Sequence, residues 1–140
     1  MPDGTQGLAA IIQSGGYDKV HYALALASAA AATGRPVTLF FTGRALPALL
    51  QGDGWKLLDF SDDCTSPEAR DATLARRGVA TFPELLEACA ELGVRFMACE
   101  MGWRALNLRD PVTNPALAVE TSGLVTLLGM VQPGHQLVFI

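Results

Sequence analysis

Gly93-Val94-Arg95-Phe96-Met97-Ala98-Cys99-Glu100-Met101-Gly102-Trp103 is the stretch on which the reading of this chain turns. It has the pattern of a short apolar strand running straight into a helix, with a cysteine at the turn. Val94, Phe96 and Met97 suit a buried strand. With Cys99 as helix N-cap, the backbone N–H groups of Met101 and Gly102 are expected to point toward its sulfur. That end of a helix carries partial positive charge, which favours the thiolate, the nucleophilic form of cysteine. On residue type alone Cys99 serves as well as a small buried hydrophobe. The strand-to-helix position is what singles it out.

Immediately upstream, Thr81-Phe82-Pro83-Glu84 is a capping-box pattern. It opens a helix carrying Leu85, Leu86, Ala88, Cys89 and Leu92 and closed by Gly93, with Cys89 inside the apolar run as a core residue. Further back, Leu8-Ala9-Ala10-Ile11-Ile12-Gln13 is a continuous apolar run bounded by glycines, the mark of a central parallel strand. Ser14-Gly15-Gly16-Tyr17 is a loop, Asp18 is expected to cap the next helix, and Gly34 with Pro36 ends it. Val37-Thr38-Leu39-Phe40-Phe41 completes a βαβ unit, whose crossover is right-handed as a rule. Thr42-Gly43-Arg44 leads into a short helix reaching Leu50.

Residues 51–80 then hold ten of the chain's 24 charged residues, with Trp55, Leu57, Leu58 and Phe60 as expected apolar anchors. A connection this long is usually a lid, a binding loop or a subunit contact. Ser66-Pro67-Glu68 and Arg76-Arg77-Gly78 give it a helix of its own. Downstream of the cysteine, the helix is expected to fade near Leu108. Ala116-Leu117-Ala118-Val119 is then expected as a short strand, Glu120 to Val131 as a helix with Leu124, Leu127 and Leu128 on one side, and Gln136 to Ile140 as a last buried strand. Strands alternating with helices predict a three-layer α/β/α sandwich on a mainly parallel sheet of about five strands. The 140 residues suit one domain carrying a charged helical insertion at about 51–80.

Composition narrows the function. Half the residues are hydrophobic, 17% are charged and the net charge is −4, with no Lys/Arg run, so no nucleic-acid partner is expected. Three cysteines without CxxC spacing make neither a disulfide framework nor a zinc ribbon, and the two histidines form no ligand-spaced pair with them. No metal and no cofactor are expected. Met1 to Gln6 has no basic stretch, so no secretory signal is expected, and Val20 to Ala32 is too short to span a membrane. The expected setting is cytoplasmic and reducing.

In parallel α/β folds the working groove lies at the carboxyl ends of the strands. That edge collects Ser14 to Asp18, Thr42 to Arg44, Cys99 to Met101 and Glu120-Thr121. The catalytic candidates are Cys99 and His21, the latter one turn into the first helix and able to take the thiol proton or hold the thiolate. Asp18, Lys19, Thr42, Arg44, Glu100 and Met101 are the candidate substrate contacts. Glu100 opposes thiolate formation, and Arg104 one turn on offsets it. Ser14-Gly15-Gly16 lacks both G-x-G-x-x-G and Gly-Lys-Ser/Thr, so a tight turn accounts for its glycines. Cys64 is a possible resolving thiol only where the insertion folds over the groove.

The chain resembles the DsrE/DsrF-like proteins, related to sulfur-relay subunits. Gly16-Tyr17-Asp18-Lys19 with Gly34-Arg35-Pro36-Val37-Thr38-Leu39-Phe40-Phe41-Thr42, then Glu84-Leu85-Leu86 through Leu92 to Met101, then Val119-Glu120-Thr121-Ser122-Gly123-Leu124 carry the resemblance in order. It implies an open, flavodoxin-like α/β/α fold and a homo-oligomer, often a trimer or hexamer. It also implies a cysteine at Cys99 that carries sulfur as a persulfide in many members, with a protein donor and acceptor. Three functions follow as alternatives: a sulfur carrier or sulfurtransferase using Cys99, a non-catalytic oligomeric subunit of the same fold, or a thiol peroxidase with Cys64 resolving.

Overall fold

The computed structural model describes residues 6–140, so the reading of Met1 to Gln6 lies almost wholly outside the described residues. Five strands form one sheet: β1 (Leu8–Ile12), β2 (Val37–Phe41), β3 (Arg95–Cys99), β4 (Glu120–Ser122) and β5 (Gln136–Phe139). Their order is β4-β3-β2-β1-β5 and every pairing is parallel. Five α-helices accompany them: α1 (Tyr17–Ala32), α2 (Pro67–Arg76), α3 (Phe82–Glu91), α4 (Glu100–Ala105) and α5 (Leu124–Met130).

Alternation along the strands divides the apolar residues between two faces. Leu8, Ala10 and Ile12 of β1, Leu39 and Phe41 of β2, and Phe96 and Ala98 of β3 join the main core with Val20, Leu24 and Ala27 of α1 and Leu85, Leu86 and Cys89 of α3. The other face presents Ile11, Phe40, Met97 and Cys99, which pack with Leu127 and Met130 of α5. Topology explains the imbalance. From β1 to β4 the chain steps one way across the sheet, and its right-handed crossovers put α1 and α3 on one face. The return from β4 to β5 runs the other way, so its helix belongs on the opposite face. That helix is α5, seven residues long, in which only Leu127 is buried. Leu124 and Leu128, expected to share its buried side, are exposed, as are Val125 at 88% and Phe139 of β5 at 67%.

Local signals place most boundaries. The capping box forms as read: Thr81 Oγ1 accepts from Glu84 N at 3.3 Å and Glu84 Oε1 accepts from Thr81 N at 2.9 Å. Ser66 caps α2, and Gly34, Gly78 and Gly93 take positive φ just past their helices. Three boundary expectations need correction. Gly16 rather than Asp18 is the N-cap of α1, and the Asp18 carboxylate accepts from Asp62 N at 2.8 Å. The short helix expected up to Leu50 is present as a 3-10 helix, Gly43–Leu49, containing Pro47. Pro115–Leu117 is also a 3-10 turn, ended by Ala118 in the left-handed region, so the strand begins later, at Glu120. The expected long helix from Glu120 is therefore a strand, Glu120–Ser122, then the shorter α5.

The stretch from 51 to 80 is anchored on the α1 side. Trp55 and Leu58 are buried, whereas Leu57 and Phe60 are exposed. Trp55 stacks on Phe82 with ring centroids 5.6 Å apart. Asp71 of α2 is buried and one oxygen, Oδ1, accepts both from Tyr17 Oη and, at 2.7 Å, from Phe82 N. One carboxylate thus ties α2 to the starts of α1 and α3. Burial first, and then this hydrogen bond, push the Tyr17 phenol well above its usual range.

Candidate functional site

Cys99 ends β3 and is the N-cap of α4, the strand-to-helix position read from the sequence. Its sulfur makes no capping hydrogen bond to the helix. The reason is strand alternation: Cys99 falls on the same face as Met97, so its side chain joins Phe40, Met97 and Leu127 beneath α5. It is 2% exposed. It borders a cavity of about 290 Å³ lined also by Glu100, Met101, Arg104, Gly123, Leu124 and Val125. The walls are mostly apolar, and Arg104 pairs with the Glu100 carboxylate across one helical turn. Ser122 of β4 is the register partner of Cys99.

The seat of α4 is close. A Cβ on Gly102 would stand 2.7 Å from Leu46 Cδ1 and 3.1 Å from Thr42 Oγ1. A side chain at 102 would have to push the Leu46 methyl aside and ease away from Thr42, so glycine lets the first turn of α4 lie this near the end of β2. Trp103 then enters the main core. Thr42 is thus a packing neighbour of α4.

The remaining candidates lie apart from this cavity. His21 donates through Nε2 to Ala80 O at 2.8 Å; a carbonyl only accepts, so Nε2 carries the hydrogen there. Its ring stacks on Tyr17, on the α1 side of the sheet, in a separate cleft with Asp18, Tyr22, Asp62, Asp63, Arg70 and Leu74. His21, expected beside Cys99, is therefore remote from it: α1 and the Cys99 side chain occupy opposite faces of the sheet. Lys19 is exposed on α1. Arg44 is bound to Asp59, with Nε donating to Oδ2 at 2.9 Å, and this guanidinium holds the Asp59 carboxyl below its usual range. No residue of 51–80 lines the Cys99 cavity, and exposed Cys64 belongs to the Ser61–Thr65 loop. Cys89 is in the core with its thiol donating to Leu24 O at 3.4 Å, and burial pushes that thiol up to about 11.

Gly123, Leu124 and Val125 are the cavity residues that the sequence reading missed. Reading 120–131 as one helix hid the turn that brings them beside Cys99; Gly123 following a Ser, before an apolar run, is the signal that marks such a turn. Among the described residues, no group of three or more His, Cys, Asp or Glu is placed to hold a metal ion, and no helix is long and apolar enough to cross a membrane.

Comparison with known proteins agrees with the fold. The chain is similar to the uncharacterized protein YrkE of Bacillus subtilis (strain 168), with 25% identity over 134 residues, covering 79% of this chain and 82% of that protein. The family model for the DsrE/DsrF-like family matches residues 6–139. With its parallel sheet and nearly its whole length matched, this chain belongs to the DsrE/DsrF-like family.

Proposed function

We propose that this protein is a sulfur carrier, or sulfurtransferase, that holds sulfane sulfur as a persulfide on Cys99. The observation that carries the reading is Cys99 at the carboxyl end of β3, on a strand-to-helix turn and bordering a mostly apolar cavity. In the first step the Cys99 thiolate attacks the outer sulfur of a donor persulfide. The donor's S–S bond breaks, a new S–S bond forms on Cys99, and the donor leaves as a thiolate. An acceptor thiolate then attacks the outer sulfur of the Cys99 persulfide and releases the Cys99 thiolate. Both steps are exchanges, so no oxidant or reductant is consumed. The apolar walls offer the carried sulfur few polar partners, and the Glu100–Arg104 pair leaves the cavity lining without a net charge to repel an incoming anionic persulfide. His21 and Lys19 have no part in these steps as proposed. A cytoplasmic, reducing setting and protein donor and acceptor belong to the same reading.

The test is intact mass and peptide mapping of the Cys64→Ser variant after incubation with a persulfide donor. One added sulfur atom is expected on Cys99 and none on Cys64→Ser/Cys99→Ser. Equal labelling of both, or none on either, overturns the proposal.

A second reading, an oligomeric subunit without sulfur transfer, is favoured by the thinly covered second face. Leu124, Val125 and Leu128 of α5 with Leu137 and Phe139 of β5 form an exposed apolar surface, in keeping with a homo-oligomer, trimer or hexamer. Phe139→Glu with Val125→Glu is expected to reduce the mass measured by light scattering to one chain. Under this second reading Cys99→Ser oligomerises normally and no sulfur is loaded.

A further inference from the structure

A cavity of about 550 Å³, away from Cys99, lies between the 3-10 segments Gly43–Leu49 and Gly54–Leu57 on one side and α3 and Pro115–Leu117 on the other. Its volume falls in the range of small-molecule sites. The inner wall is apolar, with Ala48, Trp55, Leu86 and Leu117 all buried. Asp53, Glu87 and Glu91 also line it, and no Lys, Arg or His does. Glu87 and Glu91 stand one helical turn apart on α3, a like-charge spacing that weakens a helix, and neither has an ion-pair partner among the described residues.

One further observation concerns what such a place would take. Lys56 of this chain, next to the cavity, has its ammonium 3.8 Å from Asp53 and 5.9 Å from the centre of the Trp55 ring, so a cation is already drawn to this carboxylate and this indole. Trp55 itself lines the cavity and is 5% exposed.

We propose that this cavity binds a small organic cation: an amine with an apolar, ring-sized body. The body lies against Leu86, Leu117 and Trp55, and the ammonium meets Glu87 and Glu91. The site is independent of sulfur transfer at Cys99.

Isothermal titration with tyramine, and with 3-(4-hydroxyphenyl)propionate as its carboxylate counterpart, tests the assignment. Tyramine is expected to bind saturably and at least tenfold more tightly than the carboxylate. Glu87→Gln with Glu91→Gln is expected to weaken tyramine about tenfold while thermal stability stays equal or rises, because the like-charge pair is gone. Cys99→Ser is expected to bind tyramine as the wild type does. Equal affinity for the two probes, no binding of tyramine, or binding unchanged by the two glutamines overturns the proposal. Tight binding of a lysine-containing hexapeptide with tyramine inert also overturns it, and assigns the cavity to a protein partner.

Discussion

Replacing Asp71 gives the sharpest test of how the charged stretch is held to the fold. Asp71 Oδ1 accepts two hydrogen bonds from buried donors, Tyr17 Oη and Phe82 N. Asp71→Ala strands both donors, and an unmet buried donor costs about 1–3 kcal/mol. The expected loss is therefore about 4 kcal/mol in all. Asp71→Asn keeps an amide oxygen where Oδ1 stood, so both donors retain an acceptor and only the charge assistance goes, at about 1 kcal/mol. Tyr17→Phe removes one donor and leaves the carboxylate with Phe82 N, at about 2 kcal/mol. Urea unfolding followed by far-ultraviolet circular dichroism reads all three. With a slope near ~1.5 kcal/mol per molar, Asp71→Ala is expected to lower the midpoint by about 2.5 M and Asp71→Asn by less than about 1 M. Equal costs for the asparagine and alanine variants would refute the reasoning, because the loss would then follow from the charge and not from the two stranded donors.

Gly54→Ala is expected to cost about 2 kcal/mol in the same assay, since a Cβ there would meet Pro47 O at 2.1 Å and Leu50 Cβ at 2.7 Å, and backbone must move. Thr81→Ala, which removes one half of the capping box of α3, is expected to cost about 1 kcal/mol. Cys89 supplies a pH dependence. Its folded thiol titrates near 11 against about 9 for the free group, so its protonated form contributes fully below pH 9. As pH rises from 9 to 11 the unfolded thiol ionises while the folded one does not, and stability falls by ~2 kcal/mol. Cys89→Ala should flatten that part of the wild-type profile; an identical slope in both proteins would contradict it. A thiol reagent at pH 8 is expected to label exposed Cys64 first, Cys99 more slowly, and Cys89 only on unfolding.

The alternating sequence signals were legible because they are local. The apolar runs at Leu8–Ile12, Val37–Phe41 and Arg95–Cys99, the capping box at Thr81 and the glycines that end α1, α2 and α3 each act within a few residues. Cys99 at a strand-to-helix turn was legible for the same reason. The stretch from Ala116 to Val131 was not: its strand residues are Glu, Thr and Ser, and pairing with β3, not an apolar pattern, makes them a strand.

What the amino-acid order determined alone, then, is the succession of elements, the parallel α/β class and the place of one cysteine along them. Tertiary structure decided the company each residue keeps. The sulfur of Cys99 turns under α5, His21 goes to the far side of the sheet, and Asp71 ties α2 to α1 and α3. Local patterns carry no information on these choices. Which face a side chain takes, and what lies across it, depends on the register and handedness of crossovers that join residues far apart in the chain.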